Sequence, residues 1–243
     1  MTLYETIFRR KSNRSYQMTP LAQDELARIS EFFDSIQPLV SGVRYHMALT
    51  TPDHIESIQT WRAPHYALLY SEDAPLAMEN IGYVGQMLDL YLQANGYGSC
   101  WLGLAHLKDG ENAVPREIDG MKFAITICFG RVDGDHLRGL DGFKRRTLEE
   151  IADTADARLE AVRIAPSATN SQPWYFTHDG ELLHVYRKRH NVVRQRMLGR
   201  FNRMDIGIAL AHLQLANPER FEIIIGAPHK EIRVHDYVLA CKI

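Results

Sequence analysis

The chain has 243 residues, 45% of them apolar, and its 28 Lys and Arg nearly balance 30 Asp and Glu for a net charge of −2. That composition excludes a disordered chain, and the balance excludes a global attraction to nucleic acid, anionic membranes or acidic polymers. Cys100, Cys128 and Cys241 stand far apart without a C-x-x-C, no apolar run approaches the roughly 20 residues of a membrane span, and Met1 to Arg10 lacks a secretion signal's apolar stretch. The expectation is a cytoplasmic protein with its cysteines as small core residues.

In chain order, apolar residues at helical spacing predict short helices over Leu3 to Arg10 and Leu21 to Phe33, separated by the turn-prone Thr19-Pro20. Arg44 to Thr50 and Tyr66 to Tyr70 read as strands. Ala77 to Ala94 has strong helical periodicity, ended by Asn95-Gly96. Met121 to Phe129, β-branched and aromatic, is the clearest strand of the chain. A basic loop through Lys144-Arg145-Arg146 leads into a helix predicted over Leu148 to Ile164. After the polar, proline-bearing run Pro166 to Pro173 come strands at Trp174 to Thr177 and Leu182 to Tyr186, a helix at about Met204 to Ala216 and a strand at Phe221 to Ile225.

Sliding the chain on itself by 122 positions pairs Asn80 with Asn202, Gly85 with Gly207, Leu88 with Leu210, Ala94 with Ala216 and Asn95 with Asn217. Gln37-Pro38 matches Gln172-Pro173 only at an offset of 135, which requires insertions. Two related halves, the second truncated, are expected, although amphipathic helices also share alanines and leucines by chance.

Four segments can carry chemistry. Arg9-Arg10-Lys11-Ser12-Asn13-Arg14 gathers four cations and a hydroxyl, which suits a phosphate monoester and also suits a helix end complementing its own dipole. Ala165-Pro166-Ser167-Ala168-Thr169-Asn170-Ser171-Gln172-Pro173-Trp174 is a stiff loop whose hydroxyls, amides and indole can edge a planar heterocycle. Gly98-Ser99-Cys100-Trp101-Leu102-Gly103 allows close backbone approach to a ring, or is a tight helix-to-strand turn. Lys144-Arg145-Arg146 is a phosphate contact or a solvated basic loop. The basic run of Arg187, Lys188, Arg189, Arg194, Arg196, Arg200 and Arg203 reads best as a solvated face, and the eleven histidines show no H-E-x-x-H. No G-x-G-x-x-G follows a strand, so no Rossmann domain is expected.

The strings I-F-R-R-K-S-N-R-S-Y and A-P-S-A-T-N-S-Q-P-W-Y-F resemble the opening and the most specific internal motif of the nitroreductase family. Ala63-Pro64-His65-Tyr66, N-G-Y-G-S-C-W-L-G and F-K-R-R-T-L-E-E-I agree with it. The order departs from the family: the proline-bracketed loop follows the K-x-R-x-x-L-E-E-like segment instead of preceding it. The resemblance implies an α+β nitroreductase-like fold with a mixed or antiparallel sheet flanked by helices. Its two half-domains, 1–153 and 154–243, would intertwine as a pseudo-dimer that makes one site without a partner subunit.

The resemblance also implies FMN as cofactor and NAD(P)H as reductant, with hydride passing through flavin N5 to a nitroaromatic, quinone or similar small acceptor. Arg10, Lys11 and Ser12 would grip the phosphate, with Lys144, Arg145 and Arg146 as further contacts. Arg14 would lie near the N1 and O2 edge. Gly103 and Leu104 would close the segment that approaches N5, and Pro166, Ser167, Asn170 and Gln172 would border the ring. No side chain is assigned as acid, base or nucleophile, and no metal is expected. The alternatives are a flavin dehydrogenase or dehalogenase acting on one metabolite, and a flavin binder without turnover; Glu56, Gln59 and Arg62 give no clear match to the family's pyrimidine contacts.

Overall fold

The computed structural model describes residues 1–110, 113–139 and 142–243. The chain divides into two compact units, Met1–Gly142 and Phe143–Ile243.

In the first unit, α1 (Leu3–Ile7) opens on a capping box, with Glu5 N donating to Thr2 Oγ1 and Thr2 N to Glu5 Oε2. After α2 (Gln23–Ser35) the chain lays down β1 (Tyr45–Thr50), the short β2 (Ile55–Ser57) and β3 (His65–Ser71). The core helix α3 (Ala77–Ala94) follows, and then β4 (Gly98–Leu102), β5 (Ala105–Leu107), β6 (Glu117–Ile118) and β7 (Met121–Gly130). The main sheet runs β1-β3-β7-β4, antiparallel throughout, with β6 also on β7; β2 and β5 form a separate ribbon.

Every residue of β3 is buried, which explains its unbroken apolar run. Tyr66, Leu68 and Tyr70 join a core with Ile55, Cys100, Leu102 and Leu107, while Leu69 on the opposite face meets α3. That approach needs Gly85, where a Cβ would stand 2.5 Å from Trp101 Cη2 and 2.8 Å from Leu69 Cδ1. All three thiols are free and buried, and burial pushes those of Cys100 and Cys128, directly opposed across β4 and β7, upward.

The second unit holds α4 (Leu148–Ile151), a 3-10 turn (Ala157–Leu159), α5 (Glu160–Arg163), β8 (Trp174–Asp179), β9 (Leu182–Lys188), α6 (Val192–Ala216), β10 (Glu222–Ile224) and β11 (His235–Lys242). Its sheet runs β10-β11-β9-β8, again all antiparallel. Trp174, Phe176, Leu183, Val185, Leu239 and Cys241 are buried in it, and His212 Nδ1 on α6 donates to Ala161 O at 2.8 Å.

Two expectations are corrected here, and one strand is added. The helix predicted from Leu148 to Ile164 is broken at Ala152, which turns extended (φ −142°) and bridges Phe176. The Asp153-Thr154-Ala155-Asp156 stretch bonds side chains instead of continuing a helix, with both aspartates on His178 and Asp156 accepting from Arg158 N. α6 begins at Val192 rather than Met204: its basic first turns lack an apolar stripe, leaving Val192, Val193 and Met197 exposed, and they propagate from the buried half. The side chain of Arg194 in that run lies outside the described part. Finally, β11 is absent from the predicted strands although Tyr237 to Cys241 are all apolar; its first four residues are half-buried and only Leu239 to Cys241 are fully buried.

Candidate functional site

In the first unit the basic motif leaves α1 and is clamped on both sides. Ser12 bridges Ser99 at the start of β4, Asn13 N donates to Ser99 O at 2.9 Å, and Arg10 bridges Leu137. A Cβ on Gly98 would lie 2.9 Å from Asn13 Cβ, so the motif and the Gly98–Gly103 segment come together only because residue 98 is glycine. Gly103 and Leu104 follow at the exposed turn into β5.

Arg10 is not a surface cation. It is 1% exposed, and its Nε donates to Asp89 Oδ2 at 2.9 Å, with Asp89 itself fully buried on α3. Asp89 also accepts from Ser99 Oγ at 2.6 Å and from Gln86 and Gln93 at 3.3 and 3.4 Å. Gln93 Oε1 in turn takes Lys11 N at 2.9 Å. Among the described residues the network leaves Arg10 Nη2 buried with no partner, a donor held in place and unspent. Lys11 Nζ reaches Asp135 O, while Arg14 is exposed. Arg138, which the sequence reading missed, has its guanidinium pKa lowered by burial and then by the neighbouring charges of Arg10 and Arg14. Positive charge is therefore concentrated where the motif ends.

In the second unit Lys144 to Arg146 and the proline-bracketed loop build one another. Arg145 donates to Ala165 O at 3.0 Å and to Asn170 Oδ1 at 2.6 Å. Arg146 donates through its backbone N to Gln172 Oε1 at 2.8 Å and through Nη1 to Gln172 O at 3.1 Å. Asn170 Nδ2 returns a bond to Lys144 O, and Gln172 N to Ser167 Oγ. These bonds give Arg145 and Arg146 a part in shaping the loop; Lys144 is exposed. Gln172 is buried, while Pro166 and Ser167 are half-buried.

The loop needs this support because Thr169, Asn170 and Gln172 all have positive φ, at 52°, 57° and 46°. Asn tolerates that region; the β-branched Thr169 does not, and such residues persist only where their surroundings over-determine them. Beneath the loop, Asp205 on α6 accepts from Ala168 N at 2.9 Å, and Ser171 Oγ stands 3.5 Å from both Asp205 Oδ2 and Asn202 Oδ1.

The family model described as "Putative TM nitroreductase" matches residues 2–217. The chain belongs to this nitroreductase family. The family places it among oxidoreductases, and its fold is the nitroreductase-like α+β fold. A solved nitroreductase of Thermotoga maritima is 18% identical, with a TM-score of 0.64 over 100% of this chain and 94% of that one. Nitroreductase-family structures from Clostridium novyi (16% identity, TM-score 0.44) and Parabacteroides distasonis (13%, 0.44) cover 56% and 61% of this chain and 90% and 95% of their own. Comparison with curated proteins gives no match.

Within this family member the residues that sequence reading missed are Asp89, Arg138, Asn202 and Asp205. Asp89 carried a signal, an acid inside the most apolar helix, where an unpaired charge is costly. Asp205 carried the same signal in α6. Arg138 lies in a loop whose sequence does not distinguish it from a solvated cation. No helix among the described residues is long and apolar enough to cross a membrane.

Proposed function

We propose that this nitroreductase binds FMN and uses it to pass electrons from NAD(P)H to a small acceptor such as a nitroaromatic or quinone. The observation that carries the reading is the buried, unpartnered Nη2 of Arg10, fixed by Asp89 and set close to the charges of Arg14 and Arg138. A phosphate monoester supplies what such a cluster lacks, a compact dianion with several acceptor oxygens. Arg10, Ser12 and Arg14 are the phosphate and flavin-edge contacts in this reading, with Lys11 beside them and Arg138 added. When bound, FMN supplies the hydride chemistry. The chain's own residues bind and orient: the turn at Gly103 and Leu104 leaves exposed backbone, and Ser167 presents a half-buried hydroxyl within the rigid loop.

Internal duplication is part of the same proposal. Each unit has one main antiparallel sheet, five-stranded in the first and four-stranded in the second, and one long helix. The equivalent helix positions Asn80 and Asn202 each tie down a Gln-Pro segment: Asn80 Oδ1 accepts from Leu39 N at 2.8 Å, and Asn202 Oδ1 from Ser171 Oγ at 3.5 Å. The basic motif and the proline-bracketed loop each occur once, so one FMN per chain is expected.

Titration of purified protein with FMN, followed by flavin fluorescence, tests the proposal. Ser12→Ala and Arg14→Ala are expected to weaken binding about 10-fold or more, the size of a charge-assisted bond, while Arg196→Ala changes it little. Equal affinity in all three variants, or failure of the wild type to bind FMN, defeats the reading. Double-reciprocal plots of NAD(P)H oxidation are expected to be parallel, as ping-pong transfer requires.

A further inference from the structure

Two carboxylates lie fully inside the helices of this chain next to signature segments, and they are treated differently. Asp89 has a guanidinium on it. Asp205, 2% exposed, has none among the described residues: its partners are the backbone N–H of Ala168 at 2.9 Å and the hydroxyl of Ser171 at 3.5 Å, both in the proline-bracketed loop. A buried carboxylate is costly, and an aliphatic residue would fill the same place on α6 without that cost but also without an acceptor for the loop.

What the bonds do is visible in the backbone they hold. Ala168 and Ser171 flank Thr169 and Asn170, the adjacent pair of left-handed residues, and Gln172, also left-handed, follows directly. Left alone, this stretch would relax toward ordinary φ values. From the other side Arg145 and Arg146 hold Asn170 and Gln172, but neither touches Ala168 or Ser171 in these bonds. On the helix side Asp205 takes both Ala168 and Ser171, while Asn202 reaches Ser171 alone, so Asp205 is the main anchor there.

We propose that Asp205 is the positioning residue of the proline-bracketed loop, fixing Ala168 and Ser171 so that the loop keeps the left-handed path in which it meets its ligand. The carboxylate acts through the loop and touches no ligand itself. The role goes beyond the flavin reading and rests on it only for the identity of that ligand.

The test compares wild type, Asp205→Asn and Asp205→Leu in two measurements. The first is amide hydrogen exchange at Ala168 and Gln172 in flavin-free protein, with the amides of β9 as internal reference. The second is affinity for FMN. Asp205→Leu, which removes both acceptors at similar volume, is expected to speed exchange at Ala168 about 10-fold or more and to weaken FMN binding by a similar factor, β9 staying protected. Asp205→Asn keeps an oxygen for Ala168 N and is expected to stay within about threefold of wild type in both, the rescue that a general packing role would not show. Unchanged exchange in the leucine variant, or an asparagine variant as impaired as the leucine one, overturns the proposal. Faster exchange with no effect on FMN upholds the anchor and removes flavin as the loop's ligand. Should the leucine variant fail to fold, Asp205→Ala takes its place, because it removes both acceptors without added bulk and leaves Asn202 intact: exchange at Ala168 rising several-fold supports the anchor, and no change overturns it.

Discussion

Asp89 is the most heavily committed carboxylate of the first unit, with Arg10, Ser99, Gln86 and Gln93 all donating to it. Removing it leaves a buried guanidinium without a counter-charge, so Asp89→Leu is expected to cost about 3–5 kcal/mol in urea unfolding. Replacing Arg10 with Met in the same chain is expected to recover most of that loss without recovering FMN binding. A double variant no more stable than the single one would show that the pair does not act as a unit. Asp205 predicts a pH dependence of opposite origin. Burial raises its pKa to about 7 from an ordinary value near 4, only partly offset by the bonds from Ala168 and Ser171. The folded state then holds a proton that the unfolded state has released, so this contribution to stability is full below about pH 4 and is lost as pH rises to about 7. Asp205→Asn is expected to flatten that slope and leave the protein more stable than wild type at pH 8, by up to about 4 kcal/mol. Parallel melting-temperature profiles for the two proteins between pH 4 and 8 would contradict it.

Among the elements, the core helices and central strands were legible before the structure because burial dictates their pattern. α3 begins and ends where its periodicity does, and Tyr66 to Tyr70 is an apolar run because β3 is buried on both faces. Elements ruled by local polar bonding were not legible. Nothing in Leu148 to Ile164 forbids a helix; it is the capture of His178 by Asp153 and Asp156 that breaks it. The site shows the same division: Arg10 and the loop were recognisable as strings, but the burial of Arg10 and the inward turn of Arg145 and Arg146 depend on Asp89 and Gln172, distant in sequence. α3 also carries a packing prediction. Gly85→Ala would push a methyl group against Trp101 and Leu69 at distances no Cβ tolerates, so a loss of about 1–3 kcal/mol is expected, read from Trp fluorescence during urea unfolding. An alanine variant as stable as wild type would mean that α3 can move away from β3 and β4 at little cost.

At the scale of the whole molecule, the family match ends at residue 217, yet half of the second unit's sheet lies beyond it, in β10 and β11. A protein cut after Asn217 is expected to be insoluble or proteolysed rather than merely less stable, because β9 would lose the partner that pairs with it from Leu182 to Lys188. A soluble, cooperatively melting 1–217 fragment would refute this. The strand order has one more consequence, in time rather than in space. β9 sits between β8 and β11 in the sheet but is followed in the chain by α6 and β10, so the ribosome releases it long before its second neighbour exists. Throughout that interval the β8–β9 hairpin carries an open, apolar edge, and the nascent chain is most in need of a chaperone after its signature loop has been made and before its last strand has emerged.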